Sequence, residues 1–223
     1  QISCERAKIY TDSYRETEGE PMCIRSAKAY LAACEKLPVT IFDDEIIVGT
    51  AGEFKRTGIL TPEFSWKWVD KEMDKFSTRG QDPYEMTDKQ REFTRKEIFP
   101  YWKGKSLEEL YLKRLPEDTA KILIDTGVLD NDSKWRQAVG EVTPDYEDIL
   151  LPKGYQKIKE EALAKIEELD IAIPENIEKI EFYKSQVIIC DGIMTFAKRY
   201  SDLAYEMAQK ETNEKRKAEL IKI

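Results

Sequence analysis

The stretch IEKIEFYKSQVIICDGIMTFAKRYSDLA, residues Ile177–Ala204, decides the fold class of this chain. Its apolar residues recur at spacings of three and four, which is the repeat of one face of an α-helix. The pattern predicts a long helix over Ile177–Lys210. One side of that helix carries Ile180, Tyr183, Val187, Cys190, Met194, Ala197, Tyr200, Leu203 and Met207. A stripe of this length needs a large surface to cover it, because an apolar face of that size is a liability in water.

Helical periodicity continues on both sides of this stretch. Two helix starts are marked by a hydroxyl residue followed three positions later by Gln or Glu, the pattern of a capping box. They are Thr87 with Gln90 and Ser106 with Glu109. The predicted helices cover Ser3–Tyr14, Pro21–Leu37, Phe64–Phe76, Thr87–Phe99, a segment from Ser106, Ile158–Leu169 and a segment from Thr212. The predicted fold class is therefore mainly α.

A short β-rich segment interrupts the helical pattern. Val39, Ile41, Ile46, Ile47 and Val48 lie on either side of an Asp43-Asp44 pair, which is typical of a turn. The segment predicts a short β-hairpin near residues 39–49. Because the sequence shows no internal repeat and no low-complexity linker, residues 1–223 are predicted to form a single domain.

Composition excludes several classes of function. The 223 residues carry a net charge of −8, and the basic residues are scattered among acids, which argues against nucleic acid or an anionic membrane as partner. No apolar run reaches the ~20 residues that span a bilayer, and Gln1–Tyr10 has no signal-peptide core, so a cytoplasmic location is predicted.

The cysteines Cys4, Cys23, Cys34 and Cys190 lack metal-ligand spacing. They are interpreted as reduced, mostly buried thiols, and no metal site is predicted.

The absence of histidine excludes histidine-based triads, general bases and metal ligands. The remaining candidates for acid–base chemistry are two carboxylate clusters, Asp43-Asp44-Glu45 and Asp145 with Glu147-Asp148. Paired carboxylates catalyse proton transfer only where burial separates their pKa values. The first cluster lies at a predicted turn, where Asp also bonds the local backbone, and this structural interpretation is favoured. From the residues alone, the chain is a helical domain with no evident active site.

Several stretches in one order resemble the N-terminal portion of the glycyl radical enzymes, the pyruvate formate-lyase-like superfamily. These stretches are SCERAKIYTDSYRETEGEPMCIRSAKAY (Ser3–Tyr30), FDDEIIVGT (Phe42–Thr50), PEFSWKWVDKEMDKFSTRGQDPYEMTDKQ (Pro62–Gln90), EIFPYWKGKSLEE (Glu97–Glu109) and the stretch from Ile177. The resemblance covers nearly the whole chain. It looks closest to the branch of choline trimethylamine-lyase and the glycerol and propanediol dehydratases.

The resemblance implies the helical N-terminal part of an α/β barrel enzyme. The parent enzyme would be a cytoplasmic, anaerobic lyase or dehydratase, a homodimer, that cleaves a C–O, C–N or similar bond in a small hydroxylated substrate by means of a thiyl radical. Its glycyl radical would be installed by an S-adenosylmethionine-dependent iron–sulfur activating enzyme. The family's catalytic cysteine and glycyl loop match nothing in this chain, so no catalytic residue and no bound cofactor are predicted within it. The start at Gln1 and the uncapped run up to Ile223 predict a fragment truncated at both ends.

One substrate-binding residue follows from the resemblance. This branch has a polar residue that reaches the substrate, and AVGEVTPDY (Ala138–Tyr146) places Glu141 at that position. Diol dehydratases have histidine there and the choline enzyme has aspartate, so glutamate departs from a simple glycerol or propanediol enzyme. A loop carboxylate in contact with water is the alternative interpretation of Glu141. The alternative for the whole chain is a non-catalytic helical interaction module derived from the same family.

Overall fold

A computed structural model describes residues 1–50, 52–126 and 145–223 of the chain. Within these ranges α-helix dominates, which confirms the predicted fold class. The strands of these ranges are β1 (Ile2–Ser3) and β2 (Gly58–Ile59), a parallel pair with Ile2 opposite Gly58. The α-helices are α1 (Glu5–Glu16), α2 (Met22–Lys36), α3 (Pro62–Glu72), α4 (Asp88–Phe93), α5 (Phe99–Trp102), α6 (Leu107–Arg114), α7 (Glu117–Thr126), α8 (Leu151–Glu167), α9 (Pro174–Lys210) and α10 (Glu214–Lys222).

The chain divides into two compact units. The first comprises Gln1–Thr11 and what the structure describes of Gly58–Thr143. The second comprises Asp12–Thr57 and what the structure describes of Pro144–Ile223. The single domain over residues 1–223 stays a prediction.

The core of the first unit lies around α3, α5, the turn that follows α3 and the turn that precedes α5. Its largest fully buried side chains include Met73, Ile98 and Val69. Two long-range hydrogen bonds pair polar groups in this unit, and such pairing offsets the cost of burying a polar group. The indole Nε1 of Trp102 donates to Thr11 Oγ1 at 2.9 Å, and the amide of Gln90 donates to the carbonyl of Ile2 at 2.8 Å.

Helix α9, of 37 residues, organises the second unit. It contains the predicted helix Ile177–Lys210 in full and begins at Pro174, which suits a helix start because proline has no N–H to donate. Gly192 lets α2 approach closely, since a Cβ there would lie 3.2 Å from the ring of Tyr30. Toward the C-terminal end of α9 a buried apolar cluster forms against α10. Its members are Ile41, Tyr200, Ala204, Ala208 and Leu220.

The prediction of a β-hairpin near residues 39–49 is wrong, because residues 39–50 contain no strand in the structure. The side chains of Ile41, Val39 and Val48 pack on the cluster of α9 and α10. The apolar residues at these three positions therefore reflect packing on helices, while Ile46 and Ile47 are exposed. Arg216 holds the turn of this segment, because its guanidinium donates hydrogen bonds to the backbone carbonyls of Phe42 and Glu45.

Among the described helices, none is long and apolar enough to cross a membrane.

Candidate functional site

The first carboxylate cluster, Asp43-Asp44-Glu45, holds a turn. The backbone N–H of Glu45 donates to the carbonyl of Phe42 at 3.0 Å, and the N–H of Phe42 donates to the carboxylate of Glu45, also at 3.0 Å. Asp44 is exposed and forms an ion pair with Lys55, whose hydrogen bond lowers the pKa of Asp44. A carboxylate whose pKa is lowered in this way stays ionised. The structure therefore supports a role for this cluster in forming the turn over a role in acid–base catalysis.

The second cluster begins a turn of π-helix, Tyr146–Leu150. Asp145 caps this turn, because its carboxylate accepts the backbone N–H of Asp148 at 3.0 Å. Glu147 and Asp148 lie in the first turn, where negative charge is favourable at the positive end of the backbone dipoles. All three carboxylates are exposed. Their positions favour a capping role over a catalytic pair.

All four cysteines are free thiols, and Cys4, Cys34 and Cys190 are buried. Burial raises the pKa of each of these three thiols, and the charge of Glu5 raises the pKa of Cys4 further. A thiol with a raised pKa is protonated at neutral pH and is therefore a poor nucleophile. The predicted burial is thus confirmed at three positions, and Cys23 is half-buried.

The residues that the structure describes contain no group of three or more cysteine, aspartate or glutamate side chains that could hold a metal ion. The tryptophans near the start of α3 pack on other rings. The ring centroids of Trp66 and Phe99 lie 5.7 Å apart, and those of Trp68 and Phe76 lie 6.3 Å apart.

Glu109 is a carboxylate of the first unit with several hydrogen-bond donors around it. Its Oε2 accepts hydrogen bonds from Trp66 Nε1 at 2.9 Å and from the backbone N–H of Gly104 at 2.8 Å. The hydroxyl of Ser106 donates to the same oxygen at 3.0 Å, and Lys67 Nζ lies 3.2 Å from Oε1. The Ser106-x-x-Glu109 signature in the sequence correctly placed these two residues at a helix start. It does not indicate that Glu109 also accepts hydrogen bonds from Trp66, which is distant in the sequence, and from Gly104 in the preceding loop.

These contacts set the ionisation of Glu109. Burial alone would raise the pKa of the carboxyl, but the hydrogen bonds from Trp66, Gly104, Lys67 and Ser106 outweigh burial and hold the pKa below its ordinary value of 4.5. The folded state therefore binds fewer protons than the unfolded state near that pH. It follows that Glu109 stabilises the fold above about pH 4.5, and that this contribution is lost as the pH falls through the lower pKa of the folded state.

We expect Glu109→Gln to lower the free energy of unfolding by about 1 kcal/mol at pH 7, because a charge-assisted acceptor becomes a neutral one. The difference between the variant and the wild type should shrink as the pH falls from about 4.5 through the lower pKa of the folded state, since the wild-type carboxyl becomes protonated over that range. Urea unfolding between pH 7 and pH 3 measures this. Glu16→Gln, at an exposed position, is the control and should stay within about 0.5 kcal/mol at every pH. A constant difference between Glu109→Gln and wild type across this range would contradict the assignment.

A second polar contact of the first unit is a buried ion pair. Arg6 Nη2 lies 2.6 Å from Glu63 Oε1, and the two side chains are 15% and 12% exposed. Arg6 also donates to the carbonyl of Leu60 at 3.2 Å, and its guanidinium lies over the ring of Tyr10. Burial would lower the pKa of Arg6, but the charge of Glu63 and its hydrogen bond outweigh burial and raise the pKa, so the guanidinium stays charged.

In the second unit, Arg199 and Arg216 bind backbone carbonyls at helix and turn ends that are distant in the sequence. Arg199 donates to the carbonyls of Cys34 and Leu37 at 2.6 and 2.7 Å, which satisfies the C-terminal end of α2. Arg216 donates to the carbonyls of Glu45 and Phe42 at 2.7 and 2.8 Å. No local pattern indicates these arginines, because their partners lie more than 160 residues away in the sequence.

The predicted substrate-binding residue, Glu141, lies outside the described residues. The charged groups that the structure does place, at Glu109, Arg6, Arg199 and Arg216, bind other groups of the protein. Their contacts therefore stabilise the fold: they form ion pairs within the protein and satisfy backbone carbonyls at the ends of helices and turns.

Comparison of the chain with known proteins shows the family to which it belongs. The sequence model of the family described as pyruvate formate lyase-like matches residues 1–223. An isethionate sulfite-lyase of Oleidesulfovibrio alaskensis is 39% identical over 228 residues, covering 99% of this chain and 27% of the relative. The chain therefore spans about a quarter of the length of the relatives it matches.

Solved structures agree in fold. The glycerol-bound form of the B12-independent glycerol dehydratase from Clostridium butyricum superposes with a TM-score of 0.88 at 33% identity, over 98% of this chain and 28% of that chain. A glycyl radical enzyme from Archaeoglobus fulgidus superposes with a TM-score of 0.87 at 32% identity, over 100% of this chain and 28% of that chain. The mainly helical chain thus has the fold of one part of the glycyl radical enzymes, as the resemblance implied. It belongs to the pyruvate formate lyase-like family.

Proposed function

We propose that this chain is the N-terminal part of a glycyl radical lyase that cleaves the carbon–sulfur bond of a small hydroxyalkanesulfonate. The observation that carries the proposal is the 39% identity to an isethionate sulfite-lyase over 99% of the chain. For isethionate the overall reaction yields acetaldehyde and sulfite, with no added oxidant or reductant. The hydroxyl-bearing carbon becomes the carbonyl, and the bond to sulfur is the one that breaks.

The parts of the enzyme that carry the radical lie outside residues 1–223 in this proposal. A glycyl radical, installed by an S-adenosylmethionine-dependent iron–sulfur activating enzyme, supplies hydrogen abstraction through a cysteine. The enzyme is cytoplasmic and homodimeric. Residues 1–223 supply a helical layer of the fold and one substrate contact.

That contact is Glu141. A carboxylate accepts a hydrogen bond from a hydroxyl, and hydrogen bonds to charged groups are stronger than those between neutral groups. It also repels a sulfonate, since like charges disfavour each other. Glu141 therefore faces the hydroxyl end of the substrate and leaves the sulfonate to cationic groups elsewhere in the enzyme.

We expect Glu141→Gln in the intact, activated enzyme to lower kcat/KM for isethionate by about 10-fold or more, which is the loss of one charge-assisted hydrogen bond. The measurement is steady-state sulfite release under anaerobic conditions. Glu147→Gln, at an exposed carboxylate a few residues away, is the matched control and should stay within about 2-fold of wild type. Equal kinetics for Glu141→Gln and wild type would remove Glu141 from the substrate site.

The second candidate function is that of a diol dehydratase, favoured by the superposition on the glycerol dehydratase at 33% identity. The two candidates differ in the bond that breaks, carbon–sulfur or carbon–oxygen. They also differ in the charge of the substrate, because a diol is neutral and a sulfonate is an anion.

A substrate panel separates these candidates. The intact protein, activated anaerobically, is supplied in turn with isethionate, glycerol and 1,2-propanediol, and the release of sulfite and of aldehyde is measured. We expect sulfite and aldehyde in equal amounts from isethionate, with turnover at least 100-fold faster than for either diol, because the site that binds the sulfonate leaves its cationic groups unpaired with a diol. Aldehyde from the diols with no sulfite from isethionate would replace the proposal by the dehydratase.

A further inference from the structure

We draw no further inference here: the strongest candidate, the apolar groove of about 460 Å³ that α2, α8 and α9 form around Ile24, Leu163 and Val187, is an unpartnered apolar face, and nothing in the structure shows what covers it.

Discussion

Arg6→Met is expected to lower the free energy of unfolding of the intact protein by about 3–5 kcal/mol, the range for breaking one side of a buried ion pair. The carboxylate of Glu63 is the reason. Both of its oxygens are buried, and Arg6, 2.6 Å away, is the cation that neutralises it. Methionine keeps the apolar stem of the arginine side chain but leaves Glu63 as an uncompensated charge in the interior.

Two further variants distinguish the loss of this ion pair from a general destabilisation of the first unit. Arg15→Met is the control on the same helix, because its ion pair with Asp12 is exposed and should contribute less than about 1 kcal/mol. The double variant Arg6→Met with Glu63→Leu removes both charges and should recover most of the lost stability, since a buried pair replaced by apolar residues is often neutral. Urea unfolding measures all three. A loss below about 1 kcal/mol for Arg6→Met would show that the pair is solvated in the protein.

Arg216→Met is expected to cost about 2–3 kcal/mol, the second largest effect. Its guanidinium donates to the carbonyls of Phe42 and Glu45 and lies 3.1 Å from the carboxylate of Glu219. The side chain is only 12% exposed, so water does not replace these contacts fully. Without Arg216 the turn at residues 42–45 loses the donors that hold it against α10.

Neighbouring positions on α10 supply the comparison. Lys215→Met is the control, because Lys215 is 88% exposed and its Nζ lies 4.0 Å from Glu219, so a change below about 0.5 kcal/mol is expected. Arg216→Lys should be intermediate, because an ammonium group cannot reach both carbonyls as the planar guanidinium does. Amide hydrogen exchange at Phe42 and Glu45 should accelerate in Arg216→Met and not in Lys215→Met. Unchanged exchange in both would contradict the role of Arg216 in the turn.

What the sequence predicted well is local in the chain. The helix over Ile177–Lys210 follows from a repeat within one segment, and it lies inside α9. The capping box of Thr87 and Gln90 spans three positions, and both of its hydrogen bonds are present in the structure. Interactions of this range depend on neighbouring residues, so a pattern in the sequence is enough to indicate them.

One error arose where distant contacts decide the structure, and another arose within a helix. The residues near 39–49 have the composition of strands, but the side chains of Val39, Ile41 and Val48 pack on α9 and α10, far along the chain, and those of Ile46 and Ile47 are exposed. Pro100 was predicted to follow the end of a helix; in the structure it lies in the first turn of α5. A turn of π-helix, Thr94–Ile98, precedes it, and the N–H of Phe99 bonds the carbonyl of Thr94. Helical structure is unbroken from α4 through this π turn into α5, so Pro100 lies inside a helix at the point where a π turn alters the hydrogen-bond pattern.

The candidate site shows the same division. The carboxylate turn at Asp43–Glu45 was interpreted correctly from its turn residues, and the buried cysteines followed from the absence of metal-ligand spacing. Arg6, Arg199 and Arg216 were missed, because an arginine whose partners are backbone carbonyls or a distant carboxylate resembles any surface cation in sequence. Glu141 rests on the family resemblance alone and stays a prediction.

The measurement that tests the central claim most directly is the intact mass of the native protein, with peptide sequencing beyond Ile223. We predict a polypeptide several times larger than 26.0 kDa that carries a catalytic cysteine and a glycyl loop downstream of this chain. A native polypeptide near 26.0 kDa would contradict the account, and the chain would then be a non-catalytic helical module of the family.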